Sequence, residues 1–98
     1  MVKFAQKNDT LTFTFDKRMD SKNSLDAEKN INRIMHKQSP KKIIFDLRNV
    51  DYVASAFLRI CITIIKKTGK DDFAIINTKP QIKKIFKISG LEEFFDIT

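Results

Sequence analysis

The segment from Ile43 to Ile60 constrains the fold of this 98-residue chain more than any other. A β-rich apolar run, Ile43 to Leu47, ends in a polar turn, and Ser55 then opens an apolar helix. This order places one hydroxyl at a helix N-terminus, where the backbone N–H groups have no intrahelical partner. A serine there suits two roles, a helix cap or a carrier of phosphate.

The length and composition predict one small domain over residues 1–98 in a reducing compartment. A chain of 98 residues has no room for a second core. Its one cysteine, Cys61, has no partner for an internal disulfide. No apolar run reaches the roughly 18 residues that a membrane span needs, and the first residues lack the apolar core of a secretory signal. We therefore expect a cytoplasmic protein with no membrane span.

Alternating and helical apolar patterns predict the elements along the chain. Strands are expected at 2–6 and 11–15, joined as a hairpin by Asn8-Asp9, and at 42–47 and 73–77. Ser24 is predicted to cap a first helix from about Leu25 to Lys37. The buried side of this helix would hold Leu25, Ile31, Ile34 and Met35. A second helix is expected over 55–68 and a third from Pro80 to Gly90, with a helical turn or a strand over 91–98.

This order of elements predicts an α/β fold. Strands that alternate with helices imply crossover connections and a mostly parallel or mixed sheet of four to five strands. The helices would pack on this sheet, and the N-terminal β-hairpin would be added at its edge.

The second helix carries two apolar stripes. At 100° per residue, Leu58, Cys61, Ile62 and Ile65 form one stripe, which we assign to the core. The second stripe comprises Phe57, Ile60 and Ile64. It is either buried by another element or exposed next to Ser55 as a contact for a partner or for a weak homodimer.

Three local patterns resemble the STAS domain of bacterial anti-sigma factor antagonists. The first is the turn Arg18-Met19-Asp20-Ser21-Lys22-Asn23, similar to "G-x-L-D-x-x-N". The second is the run from Phe45 to Ile60, with "D-L-x-x-V-D-Y-V", a serine and "L-R-I". The third runs from Pro80 to Leu91 and is similar to "P-x-V-x-x-V-[LF]-x-x-[ST]-G-L". All three occur in the family's order, and the likeness extends over nearly the whole chain.

The resemblance implies a role for several positions. Ser55 matches the serine that a partner kinase phosphorylates in antagonist members, and Leu58 and Arg59 match the residues after it. Ala54 stands where the family has Asp or Ser, and Phe57 stands where it has Gly. Asp20 and Asn23 are predicted to fix the turn before the first helix. As second-choice partner contacts they would join Phe57, Arg59, Ile60 and Ile64.

The resulting hypothesis is a phospho-regulated binding module in partner switching. Unphosphorylated, it would bind a serine-kinase anti-sigma factor; phosphorylated on Ser55, it would let go, and a phosphatase would be a further protein partner. The alternative, which Ala54 and Phe57 favour, is an adaptor that is never phosphorylated. It would regulate a transporter or a larger assembly.

Other functions find little support in the residues. The net charge of +7 comes from 19 scattered basic residues without interleaved aromatics, so no specific nucleic-acid binding is expected. His36 and Cys61 are not paired, which argues against a metal site. With two glycines and no paired catalytic groups, the chain shows no motif of an enzyme or of a cofactor site.

Overall fold

The computed structural model describes residues 2–94 and 96–98. The described elements are the strands and helices β1 (Lys3–Lys7), β2 (Thr10–Thr14), β3 (Arg18–Met19), α1 (Ser21–Gln38), β4 (Lys42–Asp46), β5 (Tyr52–Val53), α2 (Ser55–Thr68), β6 (Phe73–Ile76), α3 (Pro80–Ile88) and β7 (Asp96–Ile97). Short 3-10 helices over Lys70–Asp72 and Leu91–Glu93 precede β6 and β7.

Five strands form one mixed sheet in the order β1-β2-β4-β6-β7. β1 pairs antiparallel with β2 through a tight turn in which Asn8 has a positive φ of 57°. The other neighbouring pairs are parallel. The predicted α/β fold, with its N-terminal hairpin at the sheet edge, is therefore confirmed.

All three helices pack on one face of this sheet. The parallel strands follow one another in a single direction, and right-handed crossovers then carry each connecting helix to the same side. The hydrophobic core agrees, because one cluster joins α1, α2 and α3 to side chains from one sheet face, including Leu11, Phe13, Ile43, Phe45, Phe73 and Ile75. Ile44, Ala74 and Ile76, which alternate with these residues, lie outside the cluster.

The first helix begins three residues before the predicted cap. Asp20 is the N-cap, and its carboxylate accepts a hydrogen bond of 2.9 Å from the backbone N–H of Asn23. Ser24 lies inside α1, where it is fully buried and its hydroxyl donates to the Met19 carbonyl at 3.3 Å. The predictions for Ser24 as a cap and for Leu25 as buried are wrong, since Leu25 is 56% exposed.

Two very short strands were not predicted. β3 and β5 pair parallel to each other, with Arg18 beside Tyr52 and Met19 beside Val53. Two backbone bonds extend this bridge, from Asp51 N–H to the Lys17 carbonyl at 2.7 Å and from Ala54 N–H to the Met19 carbonyl at 2.9 Å. The bridge ties the segment before α1 to the segment before α2.

The last predicted segment contains both of the expected alternatives. A 3-10 helix over Leu91–Glu93 follows α3, and β7 then joins the sheet beside β6. Gly90 separates α3 from this turn with a φ of 74°, a conformation that glycine adopts without steric cost.

Candidate functional site

Ser55 is the first residue of α2 and is exposed to solvent. The cap position belongs to Ala54, which has extended backbone angles and no side-chain hydrogen bond to the helix. The reading of Ser55 as the N-cap is therefore wrong, because a cap precedes the first helical residue. Its hydroxyl lies at the N-terminus of a 14-residue helix but does not cap that helix.

Asp20 and Asn23 lie at the same end of the molecule as Ser55. The β3–β5 bridge pairs Met19 with Val53. Because the two strands run parallel, Asp20 follows β3 at the same end at which Ala54 and Ser55 follow β5. The Asn23 side-chain amide donates to the Arg18 carbonyl at 2.7 Å, while Asp20 caps α1. Both side chains fix this turn, as predicted, and both remain partly exposed.

An arginine and a tyrosine add to this surface and were not found from the sequence. The Arg18 guanidinium lies 4.3 Å from the centre of the Tyr52 ring, a cation–π contact. Tyr52 is 40% exposed and Arg18 is exposed as well, so the pair adds a basic and aromatic patch to this surface. The two residues meet only through the β3–β5 bridge, and no local pattern in the sequence signals that bridge.

The structure buries both stripes of α2, and more deeply the second one, for which burial and exposure were both left open. Phe57, Ile60 and Ile64 are at most 3% exposed, and the Phe57 ring packs 5.1 Å from the ring of Phe15. The prediction that these three residues contact a partner is wrong, because they form the side of α2 that faces the sheet. The other stripe includes Cys61, which is fully buried, and the partly buried Leu58, Ile62 and Ile65.

Arg59 remains exposed on α2 and lines a shallow groove between α1 and α2. Exposed Leu25 of α1 and partly buried Ala56 line the same groove; Ala56 follows Ser55 directly, and Arg59 lies one turn further along α2. The accessible surface next to Ser55 therefore contains the predicted Arg59, together with Leu25 in place of the predicted Phe57, Ile60 and Ile64.

The carboxylate of Asp51 connects two loops at this end of the sheet. Lys79, which precedes α3, donates a hydrogen bond to Asp51, and Lys17 lies 3.6 Å from the same carboxylate. The bond from Lys79 lowers the pKa of Asp51 below its ordinary value, so the carboxylate stays charged. The loop that leads into α2 is thus tied to the segment that leads into α3.

The structure adds two observations on ligands and membranes. Within residues 2–94 and 96–98, no group of three metal-binding side chains comes together, and no helix is long and apolar enough to cross a bilayer. Burial raises the pKa of the Cys61 thiol well above its ordinary value, which keeps the thiol protonated and unreactive.

Comparisons with known proteins agree with this architecture. The chain is 27% identical over 59 residues to BtrV of Bordetella bronchiseptica, named as an anti-sigma factor antagonist; the match covers 58% of this chain and 51% of BtrV. An anti-sigma factor antagonist from Mycobacterium paratuberculosis has the same fold, with a TM-score of 0.86 and 19% identity over 99% of this chain and 83% of its own. So does the Bacillus cell fate determinant SpoIIAA in its phosphorylated form, with a TM-score of 0.74 and 13% identity over 100% and 91%. The sequence profile of the STAS domain matches residues 1–98, and the chain therefore belongs to the STAS domain family.

Proposed function

We propose that this chain is a phospho-regulated binding module that acts as an anti-sigma factor antagonist in the cytoplasm. Unphosphorylated, it binds a serine-kinase anti-sigma factor; phosphorylation of Ser55 by that partner ends the complex, and a phosphatase restores it. The observation that carries the proposal is the exposed Ser55 at the first position of α2, with Ala54 in the cap position.

The domain itself is suited to carry a phosphate at Ser55. A phosphoserine adds a charge of about −1.5 to −2. The N-terminus of α2 carries the positive end of the helix dipole, which favours such an anion. We expect the fold to remain intact, in line with the similarity to a phosphorylated form of SpoIIAA.

The partner, in contrast, meets a changed surface. In our proposal, a kinase that packs on this end of the domain contacts Arg59 and Leu25 on one side of Ser55. On the other side it contacts Asp20, Asn23 and the Arg18–Tyr52 pair. A hydrated phosphate in the middle of this surface adds charge and bulk that the unmodified interface does not accommodate. The net charge of +7 favours encounter with an acidic kinase face.

Burial of Phe57 removes one argument against the switch. The family has glycine at this position, and a ring pointing outward would block the approach of a partner. The Phe57 ring instead fills the core against Phe15 and Phe45. The surface around Ser55 is therefore open although the residue two positions later is large.

A second candidate function is supported by Ala54. The family's Asp or Ser would offer an oxygen next to the phosphoacceptor, and alanine offers none. A STAS adaptor that is never phosphorylated, working within a transporter or a larger regulatory assembly, needs no such oxygen.

The deciding experiment is the intact mass of the protein isolated from its own host under several growth conditions, with fragmentation to locate any modification. The switch predicts a fraction heavier by one phosphate, mapped to Ser55 and absent from Ser55→Ala. Ser21→Ala is the matched control, because Ser21 is the exposed first residue of α1. Unmodified protein under all conditions would support the adaptor instead.

A further inference from the structure

The sheet has a second face that none of the described helices covers. On this face the register aligns Thr12, Ile44 and Ala74 across three neighbouring strands, with Ile76 one row away. The three apolar residues lie outside the core cluster that contains side chains of α1, α2 and α3. We refer to these four residues, with the strand edges beside them, as the open face.

An uncovered face is unusual for this kind of sheet. Four of its strands run parallel, and parallel sheets are normally covered on both faces. Ile44 and Ile76 are only partly buried, and Ala74 is 9% exposed. Asp46 shares the face by register, but its carboxylate is bound to Arg48 and Asn77 where β4 ends. The centre of the open face therefore consists of apolar side chains and one threonine, and such a surface favours burial against another layer.

The two edges of the open face differ in charge. By register with β2, Lys3 and Lys7 of β1 belong to this face, and both are exposed. At the opposite edge, Asp96 of β7 aligns with Ala74 and is also exposed. One edge is thus basic, and the other presents the Asp96 carboxylate, which shares a depression with Lys42, Lys70 and Asp71.

This arrangement matches the open face of a second copy. A twofold axis parallel to the strands lays β1 of one chain over β7 of the other, so that lysines meet Asp96 at both edges. An axis across the strands would instead place lysines over lysines. We propose that two copies of this chain associate through their open faces about a twofold axis parallel to the strands, forming a β-sandwich between subunits.

The resulting dimer is weak. With about 4.8 Å between strands, five strands span roughly 20 Å, which gives a contact well below the standard size of stable interfaces. The net charge of +7 on each copy opposes association. Lys42, the exposed first residue of β4, would face its own copy and adds to this repulsion.

Sedimentation velocity from micromolar to millimolar concentration tests the dimer directly. The wild-type chain should shift reversibly from monomer to dimer. Ile44 is the central residue of the central strand, so Ile44→Lys places two ammonium groups near the axis and should abolish the shift. Circular dichroism and thermal unfolding show whether that variant is folded.

Reversing exposed charges at the two edges of the open face tests the proposed orientation of the two copies. Lys3→Glu with Lys7→Glu should raise the dimer dissociation constant about tenfold, and adding Asp96→Lys should restore it. Lys29→Glu with Lys37→Glu is the matched control, since both lysines are exposed on α1, on the covered side.

A wild-type chain that stays monomeric at millimolar concentration would overturn the proposal. So would a dimer that Ile44→Lys leaves intact, or one that Asp96→Lys fails to restore. The test does not involve Ser55 and is independent of the proposed switch.

Discussion

The residues at the starts of α1 and α2 differ in how they cap their helices. Asp20 caps α1 through a side-chain hydrogen bond, whereas α2 begins after Ala54 without one. The sequence offered a serine at each helix, Ser24 and Ser55, and both looked like caps. Neither is a cap, because the preceding loops place the helix starts at Ser21 and Ser55.

The missing cap of α2 leads to the first prediction. Ala54 already has the extended backbone angles of a cap residue, φ −92° and ψ 168°, so Ala54→Ser supplies an acceptor without rearrangement. We expect this substitution to increase the free energy of unfolding by about 1 kcal/mol. Ser55→Ala should change it by less than about 0.5 kcal/mol.

Urea-induced unfolding measures both differences under identical conditions. If Ser55→Ala lost as much stability as the removal of a cap, the hydroxyl would be bound to the helix and would not be available to a kinase. The same measurement thus separates the structural role of Ser55 from its proposed role in signalling.

Among the elements, β4 shows how a buried carboxylate holds the sheet end together. Asp46 accepts hydrogen bonds from the Arg48 side chain at 3.0 Å and from the Asn77 amide at 3.1 Å. Burial raises the pKa of Asp46, but the hydrogen bonds from Arg48 and Asn77 outweigh it and hold this pKa below the ordinary value of 3.8. The carboxylate therefore joins the ends of β4 and β6 in its charged form.

The second prediction concerns pH. Because the pKa of Asp46 is lower in the folded than in the unfolded chain, its stabilisation is complete above the unfolded pKa and is lost as the pH falls through the folded pKa. Asp46→Asn should lower the free energy of unfolding by about 1–2 kcal/mol near neutral pH. The difference should shrink as the pH falls well below 3.8, where the wild-type carboxylate also becomes protonated in the folded chain.

Chemical unfolding near neutral pH and at acidic pH, well below 3.8, measures this effect. Asp9→Asn is a suitable control, because Asp9 is 71% exposed and its ion pair with Lys41 is long, at 3.9 Å. A loss that is equally large at both pH values would point to packing rather than charge.

The limits of sequence reasoning are clearest in α2. Its bounds, 55–68, were predicted correctly, because a polar turn precedes the apolar run and Gly69 follows it. The sequence left open whether the second stripe, Phe57, Ile60 and Ile64, is buried, and the structure shows that it is the more deeply buried of the two. Periodicity measures the angle between stripes, but contacts with Phe15 and Phe45, distant in sequence, decide which one is buried.

The same limit applies to β3 and β5. Each has two residues, and the two pair with each other in a separate two-stranded sheet, so neither is long enough to leave a local pattern. Their pairing brings Arg18 and Tyr52 into the candidate site. Ser55, Arg59, Asp20 and Asn23 could be named from motifs, whereas residues that join the surface through a tertiary contact could not.

At the scale of the whole molecule, the strand order explains why the chain has one core and one open sheet face. When successive parallel strands are added in one direction through right-handed crossovers, the connecting helices all lie on the same side of the sheet. Ser55 lies at the strand ends where α2 begins, while the open face lies on the other side of the sheet from α2. A partner at Ser55 and a second copy on the open face would therefore use different surfaces.

The third prediction tests this one-sided core with two neighbouring isoleucines of β6. Ile75 is fully buried beneath the helices, whereas Ile76 points to the open face outside the core. Ile75→Ala should lower the free energy of unfolding by about 3–4 kcal/mol, and Ile76→Ala by about 1 kcal/mol or less. Denaturant unfolding should be measured at low micromolar concentration, because a dimer would add stability on the open face by mass action. Equal losses for the two variants at that concentration would mean that both faces are already covered within a single chain.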